Sequence, residues 1–207
     1  MKKVMLLVGA GQIGMAIARR VGTGMKIIVG DKKTENTENV AAILNNAGFD
    51  AFPVETDLSD RASIQSMIAK GQEYGEITML VNAAGVSPSQ APIEAILKVD
   101  LYGTAVLLEE VGKVIASGGI GVTISSQSGW RMPALTAQQD EQLGSNSSPM
   151  MIFSIMLFNV ALRFLGNPNP IVKCPCGSAS TKTTFFPDFT SPAPKLIVVV
   201  VLATPPF

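Results

Sequence analysis

Apolar positions along the first 125 residues alternate between two periods. Short, nearly continuous aliphatic runs at Lys3–Val8, Lys26–Gly30, Ala51–Glu55, Ile77–Val81 and Gly119–Ser125 predict five strands, each covered on both faces. Between them, apolar residues recur at helical spacing over Ile13–Val21, Asn36–Ala47 and Ala62–Tyr74. A longer segment, Ile93–Ala116, has the same spacing with an expected interruption near Asp100. Punctuation agrees with the periods: Gly48 suits the position just past a helix end, and Ser59 suits an N-cap. The strand and helix order, with right-handed crossovers, predicts an α/β fold built on a doubly wound parallel sheet. Such a sheet carries helices on both faces and binds ligands at the carboxyl ends of its strands.

The pattern changes near Leu143. The 65 residues that follow hold nine of the 13 prolines and one of the 16 acidic residues, Asp188. The expectation is therefore one α/β unit over residues 1–142 and an atypical, irregular, Pro-rich and apolar tail over 143–207. Within that tail, Met150–Leu165 reads as a buried helix, because its 16 residues fall short of the about 20 needed to cross a bilayer. Leu196–Leu202 reads as a strand, or as an aggregation hazard if it finds no partner.

Composition narrows the chemistry. Formal charge is zero, and no run of Lys or Arg exceeds two residues, which argues against nucleic-acid binding. The opening Met1-Lys2-Lys3 and short apolar run feed a glycine turn rather than a cleavage site, so a cytoplasmic location is expected. The sequence contains no histidine, which excludes Ser-His and Cys-His catalysis and His-based zinc sites. Cys174 and Cys176 supply at most two ligands, and no metal site is expected.

Gly9-Ala10-Gly11-Gln12-Ile13-Gly14 follows the first strand directly and opens the first helix, the setting in which this glycine spacing has a mechanism. Gly9 permits the tight turn, Gly11 lets a pyrophosphate approach the backbone, and Gly14 brings helix and strand together, giving a Rossmann-like unit. The phosphates would meet the amides and positive end of the helix that begins near Ile13. Asp31 ends the second strand 20 residues after Gly11, placed to accept the hydroxyls of an adenosine ribose. That carboxylate favours NAD, whereas Lys32 and Lys33 beside it keep NADP open.

Three further landmarks follow in order: Asp57-Leu58 after the third strand, Asn82-Ala83-Ala84-Gly85 after the fourth, and Ile124-Ser125-Ser126 ending the fifth. Together with the glycine turn they make residues 1 to about 129 resemble the short-chain dehydrogenase/reductase family. The resemblance implies that Asp57 and Leu58 flank the adenine and that Asn82, Ala83, Ala84 and Gly85 line the cofactor. It also implies that Ser126 lies at the carbonyl of a small alcohol or carbonyl substrate. Family members form dimers or tetramers through the long helix, here about Asp100–Ala116, and the helix after Ser126, so a homo-oligomer is an open expectation. The glycine spacing is tighter than the family's usual one.

Catalysis is where the chain departs from the pattern. The family exchanges a proton through a Tyr, with a Lys four residues later, a Ser and an Asn. Ser126 fits the Ser, and Asp100 stands where Asn is usual. The only tyrosines, Tyr74 and Tyr102, precede Ser126, so no Tyr-x-x-x-Lys exists. Trp130 and Arg131 fall where the family shapes its substrate pocket, with loop packing and solvent exposure as the plainer alternatives. Three readings follow: an NAD(P)-dependent oxidoreductase with an incomplete active site, a non-catalytic dinucleotide-binding protein, or a family member whose final third derives from a shifted reading frame or an unspliced segment.

Overall fold

The computed structural model of this chain describes residues 2–126, 136–138, 141, 182–183 and 196–203. In chain order the elements are β1 (Lys3–Val8), α1 (Gln12–Val21), β2 (Lys26–Asp31), α2 (Thr34–Asn46), β3 (Asp50–Glu55) and α3 (Arg61–Tyr74). There follow β4 (Glu76–Asn82), α4 (Ile93–Ile96), a π-helical stretch over Leu97–Gly103, α5 (Thr104–Val114), β5 (Gly119–Ser126), β6 (Lys182–Thr183) and β7 (Leu196–Ala203). Met150–Leu165, Trp130, Arg131, Cys174 and Cys176 lie outside the described residues.

The strand order is β3-β2-β1-β4-β5-β7-β6, parallel throughout except for the short β6–β7 pair. Leu196–Ala203, expected as a strand, pairs with β5 along its whole length. From β1 the chain moves outward through β2 to β3, then returns on the other side of β1 to build β4 and β5. The reversal puts a topological switch point between β1 and β4, where a crevice opens at the carboxyl ends.

Alternation along β1 explains why two cores form. Val4, Leu6 and Val8 pack with Leu80, Met67, Leu107 and Leu108 in one layer, whereas Met5 and Leu7 join Ile27, Val29, Leu44 and Val81 in the other. All five β1 side chains are at most 1% exposed, each contributing about 1.5–3 kcal/mol of burial. That stiffness fixes the level at which Val8 pairs with Gly30 and Asn82, so the three turns that follow start in register.

Helix ends obey local chemistry. Gly48 has φ +86° just past α2, as its position predicted. The N-cap of α3 is Asp60 rather than Ser59: the Asp60 carboxylate accepts the Ala62 and Ser63 amides. Ser59 is engaged elsewhere, its hydroxyl and amide both donating to Asp57 Oδ1 at 2.7 and 2.8 Å. The predicted interruption near Asp100 is the π-helical stretch, which separates α4 from α5. No helix among the described residues is long and apolar enough to cross a membrane.

Candidate functional site

Four turns meet at the switch point: those after β1, β2, β3 and β4. Gly9 adopts φ +94°, and a Cβ there would stand 2.4 Å from the Ala84 nitrogen and 2.6 Å from the Ala83 carbonyl carbon. Glycine is thus required twice, for the left-handed bend and for the passage of the neighbouring turn. Gly14 is required by crowding alone, since a Cβ would lie 2.5 Å from the Gly9 carbonyl oxygen. Gly11 differs from both. Its Cβ would meet nothing within 4 Å, and its φ of −96° suits any residue, so neither crowding nor backbone angle requires glycine there.

The helix that Gly11 opens has no side-chain cap and no acidic residue in its first turn. Its leading amides therefore face outward without a side-chain acceptor, with the positive end of the helix dipole behind them. α3 shows the contrast, because Asp60 caps it. An uncapped, acid-free helix start beside an unfilled backbone position can receive an anion. Gln12 and Ile13 flank it on the exposed rim.

Asp31 faces this turn. Its Oδ2 accepts the Ala10 amide at 3.0 Å, and its Oδ1 accepts the Lys33 amide at 3.0 Å and Asn36 Nδ2 at 3.3 Å. A carboxylate has about four acceptor directions, so one stays open and the long Asn36 contact is the readiest to yield. The group is therefore held at the bend yet able to take hydroxyl donors.

Asp57 bridges from the next turn. Its Oδ2 pairs with Lys32 Nζ at 2.8 Å while Oδ1 holds Ser59. Burial by itself would raise the Asp57 pKa, but the hydrogen bonds from Lys32 and Ser59 and the nearby positive charge outweigh it, holding the carboxyl below its ordinary value. Lys32 is raised in turn by the hydrogen bond and charge of Asp57. Leu58 is buried beneath the same turn, and its carbonyl oxygen would lie 2.5 Å from a Cβ on Gly103. The π-helical stretch thus rests directly on this turn.

The turn after β4 is cross-braced. Asn82, 1% exposed, donates to Thr104 Oγ1 at 3.3 Å and accepts the Ala84 amide at 3.3 Å. Ala83 donates its amide to the Val8 carbonyl. Beyond it, Asp100 Oδ1 accepts the Val86 amide at 3.0 Å and would lie 3.4 Å from a Gly85 Cβ. Half-buried, Asp100 has its pKa raised by burial, an effect the Val86 amide partly opposes. Ser126 is the last residue of β5, in register with Ala203. Tyr102 is half-buried and packs against the core layer that includes Leu107, Leu108 and Val111.

Two groupings escaped sequence reading. Arg61, on α3, pairs with Glu109 at 3.1 Å and with Glu110 on α5, while Lys113 Nζ reaches Glu110 at 2.8 Å. These partners stand 48 and 49 residues apart, and nothing local announces them. The Lys32–Asp57 pair is the other. Among the described residues no cluster of His, Cys, Asp and Glu suits a metal.

Comparison with known proteins gives the following. The family model for short chain dehydrogenase matches residues 3–137. The short-chain dehydrogenase/reductase bsc3 of Alternaria brassicicola is 34% identical over 131 residues, covering 63% of this chain and 48% of that protein. D-threitol dehydrogenase of Mycolicibacterium smegmatis is 36% identical over 138 residues, covering 60% and 53%. The chain spans about half the length of the curated relatives it matches. Among solved structures, a short-chain dehydrogenase/reductase from Serratia marcescens superposes with a TM-score of 0.57 at 22% identity, covering 80% of this chain and 69% of that one. One from Burkholderia phymatum, in complex with NAD, gives 0.58 at 22% identity, covering 84% and 63%. At that identity the likeness concerns the fold.

Proposed function

Given that this chain belongs to the short-chain dehydrogenase family, we propose that the four turns at its switch point hold a nicotinamide dinucleotide, NAD in preference to NADP. The further reading is an oxidoreductase that acts on a small alcohol or carbonyl compound in the cytoplasm. The observation that carries it is the start of α1: amides without a cap, no acid in the first turn, and a glycine that neither crowding nor backbone angle requires.

On this reading Gly9, Gly11, Gln12, Ile13 and Gly14 receive the pyrophosphate. Asp31 accepts ribose hydroxyl protons through its open acceptor direction and by releasing Asn36. Asp57 and Leu58 flank the adenine, and Asn82, Ala83, Ala84 and Gly85 form the wall beyond it. Asp31 favours NAD because a 2′-phosphate beside a carboxylate is repelled. When bound, the dinucleotide supplies or accepts the hydride. Ser126 orients the substrate oxygen from the end of β5. Asp100 steadies the Val86 turn, in the place where relatives of this family usually have Asn.

A second reading keeps the nucleotide and omits turnover. It is favoured by the tyrosine distribution, since both tyrosines precede Ser126 and no Tyr-x-x-x-Lys exists. Titration of the chain with NADH, followed by fluorescence, tests the shared premise. Absence of saturable binding refutes both readings. If NADH binds, consumption monitored at 340 nm with a panel of small ketones separates them: loss of absorbance above the protein-free rate supports the oxidoreductase, and no loss supports the binding protein.

A further inference from the structure

The turns after β2 and β3 are joined by one ion pair, Lys32 Nζ to Asp57 Oδ2 at 2.8 Å. Lys32 directly follows Asp31, so it is a cation within reach of a 2′-phosphate. It is 71% exposed and free to swing, whereas Asp57 is 30% exposed and anchored by two bonds from Ser59 and by its own amide, which donates to Ser63 Oγ at 2.9 Å. The fixed partner therefore determines where the mobile one rests. Lys33 is held to Asp31 by its backbone amide, and its ammonium stays as a second, constant cation in every form compared below.

Resting on the dinucleotide reading above, we propose that Asp57 is a specificity-determining residue: by holding Lys32 it withholds the cation that NADP would need, and so biases the site toward NAD. As a neutral pair, Lys32 and Asp57 offer little to a 2′-phosphate, and Asp31 and the Lys33 ammonium are left as the neighbouring charges. Removing the acid of the pair releases a positive charge next to the ribose. Removing the base instead exposes a second negative charge.

The test measures NADH and NADPH dissociation constants by nucleotide fluorescence in four forms of the full chain: unaltered, Asp57→Asn, Lys32→Met and the double variant. Asp57→Asn should improve the NADPH-to-NADH affinity ratio by about tenfold, the worth of one charge-assisted hydrogen bond. Lys32→Met should lower that ratio severalfold. The double variant should return to the ratio of the unaltered chain, because both charges of the neutral pair are gone. Lys32→Met changes an exposed side chain and leaves the fold intact, so it stands as a test even if Asp57→Asn fails to fold. A ratio in Asp57→Asn equal to that of the unaltered chain overturns the proposal, as does a double variant that matches Lys32→Met. If no form binds either nucleotide, the dinucleotide reading falls and this inference falls with it.

Discussion

Gly11→Ala is the substitution that best separates folding from binding in this chain. The added methyl has no neighbour within 4 Å, and the backbone angles, φ −96° and ψ 179°, are ordinary for alanine. Alanine also has fewer unfolded conformations than glycine, which favours the variant, but glycine is preferred over alanine at an N-cap, which opposes it, so stability should change by less than about 1 kcal/mol. For a chain of this size that is less than about 4 °C in Tm. The same methyl would occupy the space through which phosphate oxygens reach the leading amides of α1. Losing even one charge-assisted amide contact costs about 1.5–3 kcal/mol, so NADH should bind at least about tenfold more weakly. Gly9→Ala supplies the contrast, because its φ of +94° and the 2.4 Å approach to Ala84 make it a folding defect first. Thermal unfolding and NADH titration of both variants would decide the matter. A Gly11→Ala protein that keeps its stability and binds NADH as before would refute the placement of the pyrophosphate.

Three other outcomes follow from the geometry. Asp100 binds its proton more tightly folded than unfolded, because burial raises its pKa above 3.8; its contribution to stability therefore falls as pH rises through the folded value. Asp100→Asn, which still accepts from Val86, should unfold at higher urea than the unaltered chain at pH 7 and lose that advantage below about pH 3.8. Glu110 is 7% exposed and bonded by Arg61, Gln65 and Lys113, so Glu110→Ala should cost about 1–3 kcal/mol in urea denaturation. The pKa of Glu110 is held below 4.5 by Lys113 and Gln65 against the cost of burial. Its stabilisation is thus complete above that value and lost as pH falls through the folded one, and the variant should show a shallower acid limb. Gly103→Ala would drive a methyl to 2.5 Å from the Leu58 carbonyl oxygen, an overpacking that should cost about 1–3 kcal/mol and weaken NADH binding by displacing the Asp57–Leu58 turn.

Much of the sheet was legible because its signals are local. A strand such as Lys3–Val8 is set by six consecutive residues, and the glycine turn after it by the next six. Gly48 ends α2 through its own φ. Sequence placed the N-cap of α3 at Ser59, but a competing acceptor moved it: Asp57 claims the Ser59 hydroxyl and Asp60 caps the helix instead. The interruption near Asp100 was visible as a break in spacing, but its π-helical form depends on the hydrogen-bond register and on Gly103 lying against Leu58. Lys32 read only as a cation, with Lys33, that kept NADP open. Its partner, Asp57, comes from a different strand end, and only the β2–β3 register brings the two together.

The distribution of groups around the switch point makes nucleotide binding and proton exchange physically separable. Gly9, Asp31, Asp57 and Asn82 lie at the ends of β1, β2, β3 and β4, and their side-chain hydrogen bonds and turn contacts involve residues from Val8 to the start of α5, while Asn82 also pairs with Thr123 of β5. Rigid strands set their spacing, and both cores that hold those strands draw on residues before β5. On the proposed reading the substrate oxygen lies at Ser126, so a proton donor has to reach that oxygen at the end of β5. On that reading, affinity for the dinucleotide is therefore a property of the first four strands, whereas turnover depends on what the chain brings to the end of the fifth. A variant series confined to residues 9–85 should move binding constants and stability together or apart according to the contacts described, without creating or abolishing a proton path.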